Sequence, residues 1–459
     1  MTLQGCFILL ASYHIFSERA MRPVVAVEKL VFGGDGLARL SDGRVVFVPG
    51  VAPGEEVRLR IVREEKDYLL AEPEDILSPS PDRREPPCPY FGTCGGCQLQ
   101  HLSYEAQVRV KTDMLRETLR RLGGLPEDLV EGVVPSPREF HYRHRLRFHV
   151  EPGTGALGFV KRRSHDLVLI RHCLLGEGSV NEVLQKLPES NAWRRLQAFT
   201  KRVKIEASPG EGLATLLFWI TVEPLSADVE ALAQELPRLK SVFYWVRGPK
   251  PRGPFPLDAP HGGRRLFPVP QKFFPETPNP CYFVRPGVFT QANWEINLRI
   301  IETLREVADS PPRVLDLHAG MGNFLFPLAV LSQEAQGVDT DPGAIADGEY
   351  TAAQLGLSRK VSLERLSAAE TLLETWKAAE TWPLVLLDPP RGGCRELLRY
   401  LPEVAKERII YISCDPPTLA RDLKFLLSAG YEVERILGFD MFPQTYHLEV
   451  LVSLKKRRG

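Results

Sequence analysis

With 459 residues, 44% of them hydrophobic and 25% charged, the chain reads as a folded protein too long for one ordinary core, so two to three domains are expected. Its 58 basic and 58 acidic residues cancel, which excludes polyanion binding driven by global charge and leaves such contacts to local clusters. No apolar run reaches the roughly 18 to 20 residues that span a bilayer, and the 8 scattered cysteines are unlike a small secreted scaffold, so a cytoplasmic protein without membrane contact is expected.

Residues 1–22 contain a short apolar stretch, Cys6 to Ala11, with neither a basic flank nor a cleavage site. They are expected to be disordered or absent from the natural product, with translation starting at Met21. Residues 23–80 alternate Val-, Leu- and Ile-rich runs with Gly and Asp turns, from VVAVEKLVF through RVVFVPG to LLAEPEDIL, the pattern of a small β-barrel. The proline-rich link SPSPDRREPP ends it. Residues 81–275 form a central domain of mixed α+β character that opens with Cys88, Cys94 and Cys97 and has a helix from Tyr104 to Leu122. Within it, GPKPRGPFPLDAPHGG reads as a loop. From 276 to 459 helices alternate with apolar strands: the helix Trp294 to Ala308, then RVLDL, AQGVD, LVLLD and RIIYIS. This is the signature of a doubly wound, Rossmann-like α/β sheet with ligands at the carboxyl ends of its strands. YEVERILGFDMF and HLEVLVSLKK would close the sheet as an antiparallel hairpin, and KKRRG reads as a basic tail.

VLDLHAGMGNF puts Asp316 on a strand and Gly320 and Gly322 in the turn that opens a helix, where backbone amides can approach a ligand. Leu325 stands where a dinucleotide fingerprint needs glycine, which disfavours nicotinamide. Asp339 ends the next strand, placed to accept ribose hydroxyls, so a nucleoside cofactor is favoured. RIIYISCDPPTLARD sets Cys414 between a strand end and a helix start, where a lowered thiol pKa is expected. Asp388 ends a further strand, so Asp316, Asp339, Asp388 and Cys414 face one crevice. Cys88, Cys94 and Cys97, completed by Cys173, offer four thiolates for zinc or an iron-sulfur cluster, and ligand count does not separate the two. His101 and His172 are nearby nitrogen donors for zinc. EFHYRHRLRFHV and GFVKRRSH interleave basic and aromatic residues, which suits phosphate contact with base stacking as well as an amphipathic strand with solvated arginines.

Taken in order, FTQAN (289–293), VLDLHAGMGNF, LLDPPRGG, ISCDPPTLARD and DMFPQTYHLE (440–449) resemble the RNA uracil-5-methyltransferase family. The resemblance extends over nearly all of the chain after Met21, and the barrel is similar to a TRAM domain, an OB-like RNA-binding module. It implies a domain dependent on S-adenosylmethionine, an RNA substrate with 23S ribosomal RNA ahead of transfer RNA, and a monomer. It implies Cys414 as nucleophile and Glu449 as general base. Gln291, His318, Asn323, Asp339 and Asp388 fall at cofactor-contacting positions beside the Gly320 and Gly322 turn. His318 replaces the usual aromatic, and Ser367 stands where Asn or Asp is expected near the adenine. CPYFGTCGGCQLQH and SHDLVLIRHC resemble segments that hold a 4Fe-4S cluster, making Cys88, Cys94, Cys97 and Cys173 its ligands, with zinc as the alternative.

Three rival readings remain. Cytosine-5 methylation would place a cysteine directly after the strand-end proline, but Pro390 follows Pro389 and the nearest thiol is Cys394. Methylation of an exocyclic amine expects an aromatic where Arg391 stands. A non-catalytic RNA-binding iron-sulfur protein would leave Cys414 and the glycine turn without a task.

Overall fold

In the computed structural model, which describes residues 22–246, 251–256 and 258–457, the chain divides into a unit ending at Arg83 and a second beginning at Arg84. Residues 1–21, expected to be an extension, lie outside the described residues. In the first unit strict alternation builds the expected barrel. Strands β1 (Val24–Leu30), β2 (Asp35–Arg39), β3 (Val45–Pro49), β4 (Glu56–Glu64) and β5 (Tyr68–Ser78) close in the order β1-β2-β3-β5-β4. Val25, Val27, Ala38, Val46, Val48, Val57, Leu59, Leu69 and Ala71 fill the interior, and closure leaves no free strand edge.

The second unit holds two large sheets. Strand β6 (Val130–Val134) belongs to the later one. The earlier sheet comprises β7 (Arg145–Val150), β8 (Leu157–Val160), β9 (Leu167–Leu169), β10 (Thr200–Ser208), β11 (Leu213–Ile220), β12 (Leu239–Trp245) and β13 (Arg252–Phe255), in the order β13-β12-β11-β10-β7-β8-β9. Strand β13 falls inside the Pro- and Gly-rich stretch expected to be loop. On β7 the alternation is plain: Leu146, Phe148 and Val150 enter the core while Arg145, Arg147 and His149 face away from it. A short ladder of β14 (Arg265–Pro268) and β15 (Cys281–Val284) follows.

The later sheet adds β16 (Arg313–Asp316), β17 (Glu334–Val338), β18 (Val361–Glu364), β19 (Trp382–Leu387), β20 (Ala405–Ser413), β21 (Tyr431–Phe439) and β22 (Glu449–Lys456), in the order β18-β17-β16-β19-β20-β22-β21-β6. Strands β16 to β20 pair in parallel, and β22 runs antiparallel between β20 and β21. Winding reverses between β16 and β19, the switch point where such sheets open a crevice at their carboxyl ends. The hairpin is as expected, although Lys455 and Lys456 of the supposed tail belong to the ladder. Strand β6 extends the sheet beside β21, and Gly438 permits this: a Cβ there would meet the Val133 side chain at 2.7 Å and the Gly132 carbonyl at 3.2 Å. Among the described residues no helix is long and apolar enough to cross a membrane.

The loop leading to β22 is held from earlier in the chain. Gln98 N and Leu99 N both donate to the Gln444 carbonyl, at 2.9 and 3.0 Å. In the helix Tyr104–Thr118, Lys111 donates to Asp440 Oδ1 at 2.6 Å, and both side chains are fully buried. Removing one partner of a buried pair strands the other's charge. Lys111→Met is therefore expected to lower stability by about 3 to 5 kcal/mol, read as a fall in the denaturant midpoint; an unchanged midpoint would show that the pair contributes nothing.

Candidate active site

Five of the eight strands deliver acidic or nucleophilic groups to the crevice. Cys414 follows β20, and Ser413 pairs with Val450, so the register carried one step further sets Cys414 across from Glu449 at the start of β22. Asp388 follows β19 and accepts a hydrogen bond from Gln291 Nε2 at 3.3 Å. Glu449 is 5% exposed. Burial, then the neighbouring Asp388, pushes its carboxyl well above the usual range, opposed by Arg391. Burial lifts Asp388 to about 7. The Cys414 thiol is pushed up to about 11 by burial, then by Glu449 and Asp388, again against Arg391.

Beside this group the glycine turn opens. Gly320 and Gly322 have φ of +54° and +91°, and a Cβ at Gly322 would collide with the Phe326 ring. Asp339 shapes the turn from the next strand, Oδ2 accepting from Gly320 N at 2.9 Å and Oδ1 from Asp341 N at 2.8 Å. Asp316 Oδ1 accepts from His318 N at 3.0 Å, and burial raises this carboxyl to about 8. His318 lies between two cavities. One is lined by Gln291, Gly320, Asn323 and Asp388; the other, of about 230 Å³, by Asp339, Ser367, Pro390 and Cys394. Burial depresses the His318 imidazole to about 4, and its Nδ1 has no hydrogen-bond partner among the described residues.

A separate cavity of about 520 Å³ is lined by Cys88, Cys94, Cys97 and Cys173 together with Arg143, Arg145, Arg147, His172, Lys204 and Phe289. All four cysteines are free thiols. Burial pushes Cys97 up to about 12, reinforced by the other three sulfurs; burial likewise raises Cys94 and Cys173. Among the described residues no group of three or more His, Cys, Asp or Glu is arranged to hold a metal ion.

A family model described as tRNA (uracil-5-)-methyltransferase matches residues 278–457, and a TRAM domain model matches residues 24–73. An uncharacterized RNA methyltransferase of Aquifex aeolicus is 36% identical, the match spanning 94% of this chain and 98% of that one. The 23S rRNA (uracil(1939)-C(5))-methyltransferase RlmD of Pseudomonas putida is 34% identical over 93% of this chain and 92% of its own. The chain belongs to the RNA uracil-5-methyltransferase family. A solved Pyrococcus abyssi tRNA (uracil-54, C5)-methyltransferase in complex with S-adenosyl-L-homocysteine shares the fold of this methyltransferase, with a TM-score of 0.70 at 23% identity, covering 95% of this chain and 100% of that one.

The methyltransferase brings Gln291, His318, Gly320, Asn323, Asp339, Ser367 and Asp388 to its two adjoining cavities, and Cys414 and Glu449 to each other; Gly322 lines neither cavity and packs against the Phe326 ring instead. Besides Asp339 and the Gln291–Asp388 pair, two more of these side chains are already committed. Asn323 exchanges hydrogen bonds with Asn297 at 2.8 and 2.9 Å, and the Ser367 hydroxyl caps the helix Ala368–Lys377 in a capping box with Glu370. The thiol of the rival Cys394 is buried against Asp422 Oδ2 at 3.7 Å. Sequence reasoning passed over Arg391 as a charge for the site, noting only that it is not aromatic, and over Phe289, although its FTQAN motif was in view.

One expectation fails. The Cys414 thiol was expected to ionise easily at a helix start, whereas burial and two carboxyl neighbours raise it. A helix terminus is a partial charge that water screens, and desolvation here outweighs it. In the RNA-free methyltransferase, iodoacetamide labelling of Cys414 followed by peptide mass spectrometry is expected to accelerate about tenfold per pH unit between about pH 7 and 9. A rate that levels off near pH 7 would contradict the raised thiol.

Proposed function

We propose that this enzyme methylates carbon 5 of a uridine in 23S rRNA, with Cys414 as nucleophile and Glu449 as general base. The observation that carries the reading is the pairing of β20 with β22, which sets the thiol beside a buried carboxylate, both neighbours of Asp388 in the wall of one cavity. S-adenosylmethionine fits those cavities: the glycine turn leaves room for a ligand, and the unpartnered Nδ1 of His318 lies in the wall between them. When bound, it supplies an electrophilic methyl group on a positively charged sulfur. Gln291, His318, Asp339 and Asp388 would line it, with Ser367 and Asn323 shaping the walls.

Carbon 5 of uracil is a weak nucleophile on its own. The Cys414 thiol gives its proton to solvent, and addition of the resulting thiolate to carbon 6 forms an S–C6 bond and moves the C5=C6 electrons toward carbon 5 and the O4 enolate. Carbon 5, so activated, is the atom to which the bound cofactor would supply its methyl group, the donor sulfur keeping the electron pair of the S–C bond that breaks and leaving as a neutral thioether. Glu449 removes the remaining proton from carbon 5, and those electrons restore the double bond as the S–C6 bond breaks. Arg391 faces both groups and favours their charged forms, which the resting site disfavours. The target base must leave its stack to reach a sulfur in such a crevice.

The four cysteines are assigned a 4Fe-4S cluster with a structural role. They line one cavity as free thiols, the donor set that would hold such a cluster, and the preference for it over zinc rests on the resemblance of the two cysteine segments. Iron and acid-labile sulfide in anaerobically purified protein would support this; stoichiometric zinc would overturn it. Free thiols and a ribosomal substrate fit a cytoplasmic site of action. Incubation with S-adenosylmethionine and 23S rRNA from a strain lacking the gene, followed by nucleoside mass spectrometry, is expected to yield 5-methyluridine. Methylation of transfer RNA alone, or appearance of 5-methylcytosine, would refute the assignment.

A further inference from the structure

The face of the seven-stranded sheet turned away from its core is ordered by register into three rows. Between β7 and β10, Arg145 stands opposite Glu206, Arg147 opposite Lys204, and His149 opposite Arg202. Those β10 residues stand opposite Thr215, Leu217 and Trp219 on β11, which in turn neighbour Ser241, Phe243 and Trp245 on β12. Intervening residues such as Phe148, Val203, Ile205, Leu216 and Val242 supply the core. Thr215, Leu217, Ser241 and Phe243 are buried, so what reaches the surface is Arg147 and Arg202 on the basic strands and the partly exposed Trp219 and Trp245 beside them.

Charge on this face is not self-cancelling. Glu206 is buried between Lys204 and Arg265, while Arg147 and Arg202 are exposed and have no acidic partner among the described residues. At the far end of the last row the half-buried rings of Trp219 and Trp245 lie parallel, with centroids 6.2 Å apart and planes 9° apart. At the opposite corner the Arg145 guanidinium lies 4.6 Å over the ring of Phe289. Phe289 is 60% exposed and two residues from Gln291 in the active-site wall. Strand spacing and rise put this diagonal at roughly 20 Å, the reach of a few nucleotides.

We propose that this face is a track for the single-stranded RNA that flanks the target uridine, with phosphates on Arg147 and Arg202 and an unstacked base on the Trp219 and Trp245 pair. The proposal rests on RNA being the substrate and adds where the flanking strand runs. Exposed unpaired cations next to stacked rings favour a polyanion that carries flat bases. Duplex RNA hides its bases from such rings, so the occupant is an unpaired strand.

The test uses full-length enzyme, unmodified 23S rRNA for kinetics and a fluorescein-labelled single-stranded RNA oligonucleotide for anisotropy. Replacing both tryptophans (Trp219→Ala with Trp245→Ala) is expected to raise KM for RNA and the oligonucleotide Kd by roughly ten- to a hundredfold, with kcat at saturating RNA within about twofold. Changing both to Phe keeps a stacking surface and is expected to restore most of the affinity, which a merely structural role for indole packing would not predict. Arg147→Gln with Arg202→Gln is expected to flatten the slope of log affinity against log salt by about 0.7 per charge removed. Wild-type KM and salt slope in all these variants would overturn the track while leaving the methyltransferase reading intact. Absence of methylation by the wild-type enzyme would instead remove the reading beneath it.

Discussion

Cys414→Ala is expected to abolish the covalent complex between the enzyme and RNA containing 5-fluorouridine, and to lower methylation of ordinary RNA by about 10⁴-fold or more. Fluorine at carbon 5 cannot leave as a proton does, so the wild-type adduct survives denaturing electrophoresis once the methyl group has been transferred. The effect should be near total because no other side chain replaces this sulfur: Cys394 is buried against Asp422, and the four cysteines of the other cavity line a different opening. Binding of S-adenosylhomocysteine, measured by calorimetry, is expected to persist within a few-fold, since the thiol lines neither cofactor cavity. A trapped complex in Cys414→Ala would assign the nucleophile elsewhere.

The second large effect separates bond formation from release. Glu449→Gln keeps the size of the side chain but cannot accept the carbon 5 proton, so ordinary uridine RNA is expected to accumulate as a methylated adduct while turnover falls by about 10² to 10⁴-fold. Release without loss of rate would give the proton to another base. The same change carries a stability signature with a definite sign. Burial raises the folded-state pKa of Glu449, as it does those of Asp388, to about 7, and Asp316, to about 8. Between the ordinary carboxyl range and these raised values the folded chain binds more protons than the unfolded one, so their stabilisation is present at low pH and is lost as pH climbs, through about 7 for Asp388 and about 8 for Asp316. Glu449→Gln removes one such group. The variant's melting temperature at pH 8 is therefore expected to lie above that of the wild type, an exchange of activity for stability at a strained site.

What the sequence made legible follows the range of the forces involved. The barrel alternation of Val25 to Ala71, the helix Trp294–Ala308 and the parallel strands around Asp316 and Asp388 are local patterns, and each is found where its period puts it. The neighbourhood of Cys414 and Glu449 came instead from resemblance, because a 35-residue separation in sequence says nothing about a ladder until the register is known. The thiol's charge state was misread for the same reason. Proximity to a helix start is visible in RIIYISCDPPT, but the Glu449 and Asp388 carboxyls that oppose it arrive from other strands. Strand β6 had no signal at all: VEGVV carries nothing that names β21 as its neighbour.

That last pairing bears on how the molecule can be taken apart. A fragment begun at residue 276 would keep every group assigned to chemistry, yet it would lose the strand that covers β21 and the lysine that neutralises Asp440. A bare sheet margin recruits other chains. Catalytic grafts onto foreign RNA-binding modules would therefore have to carry residues 104 to 134 along, and shorter ones would precipitate before they could be assayed.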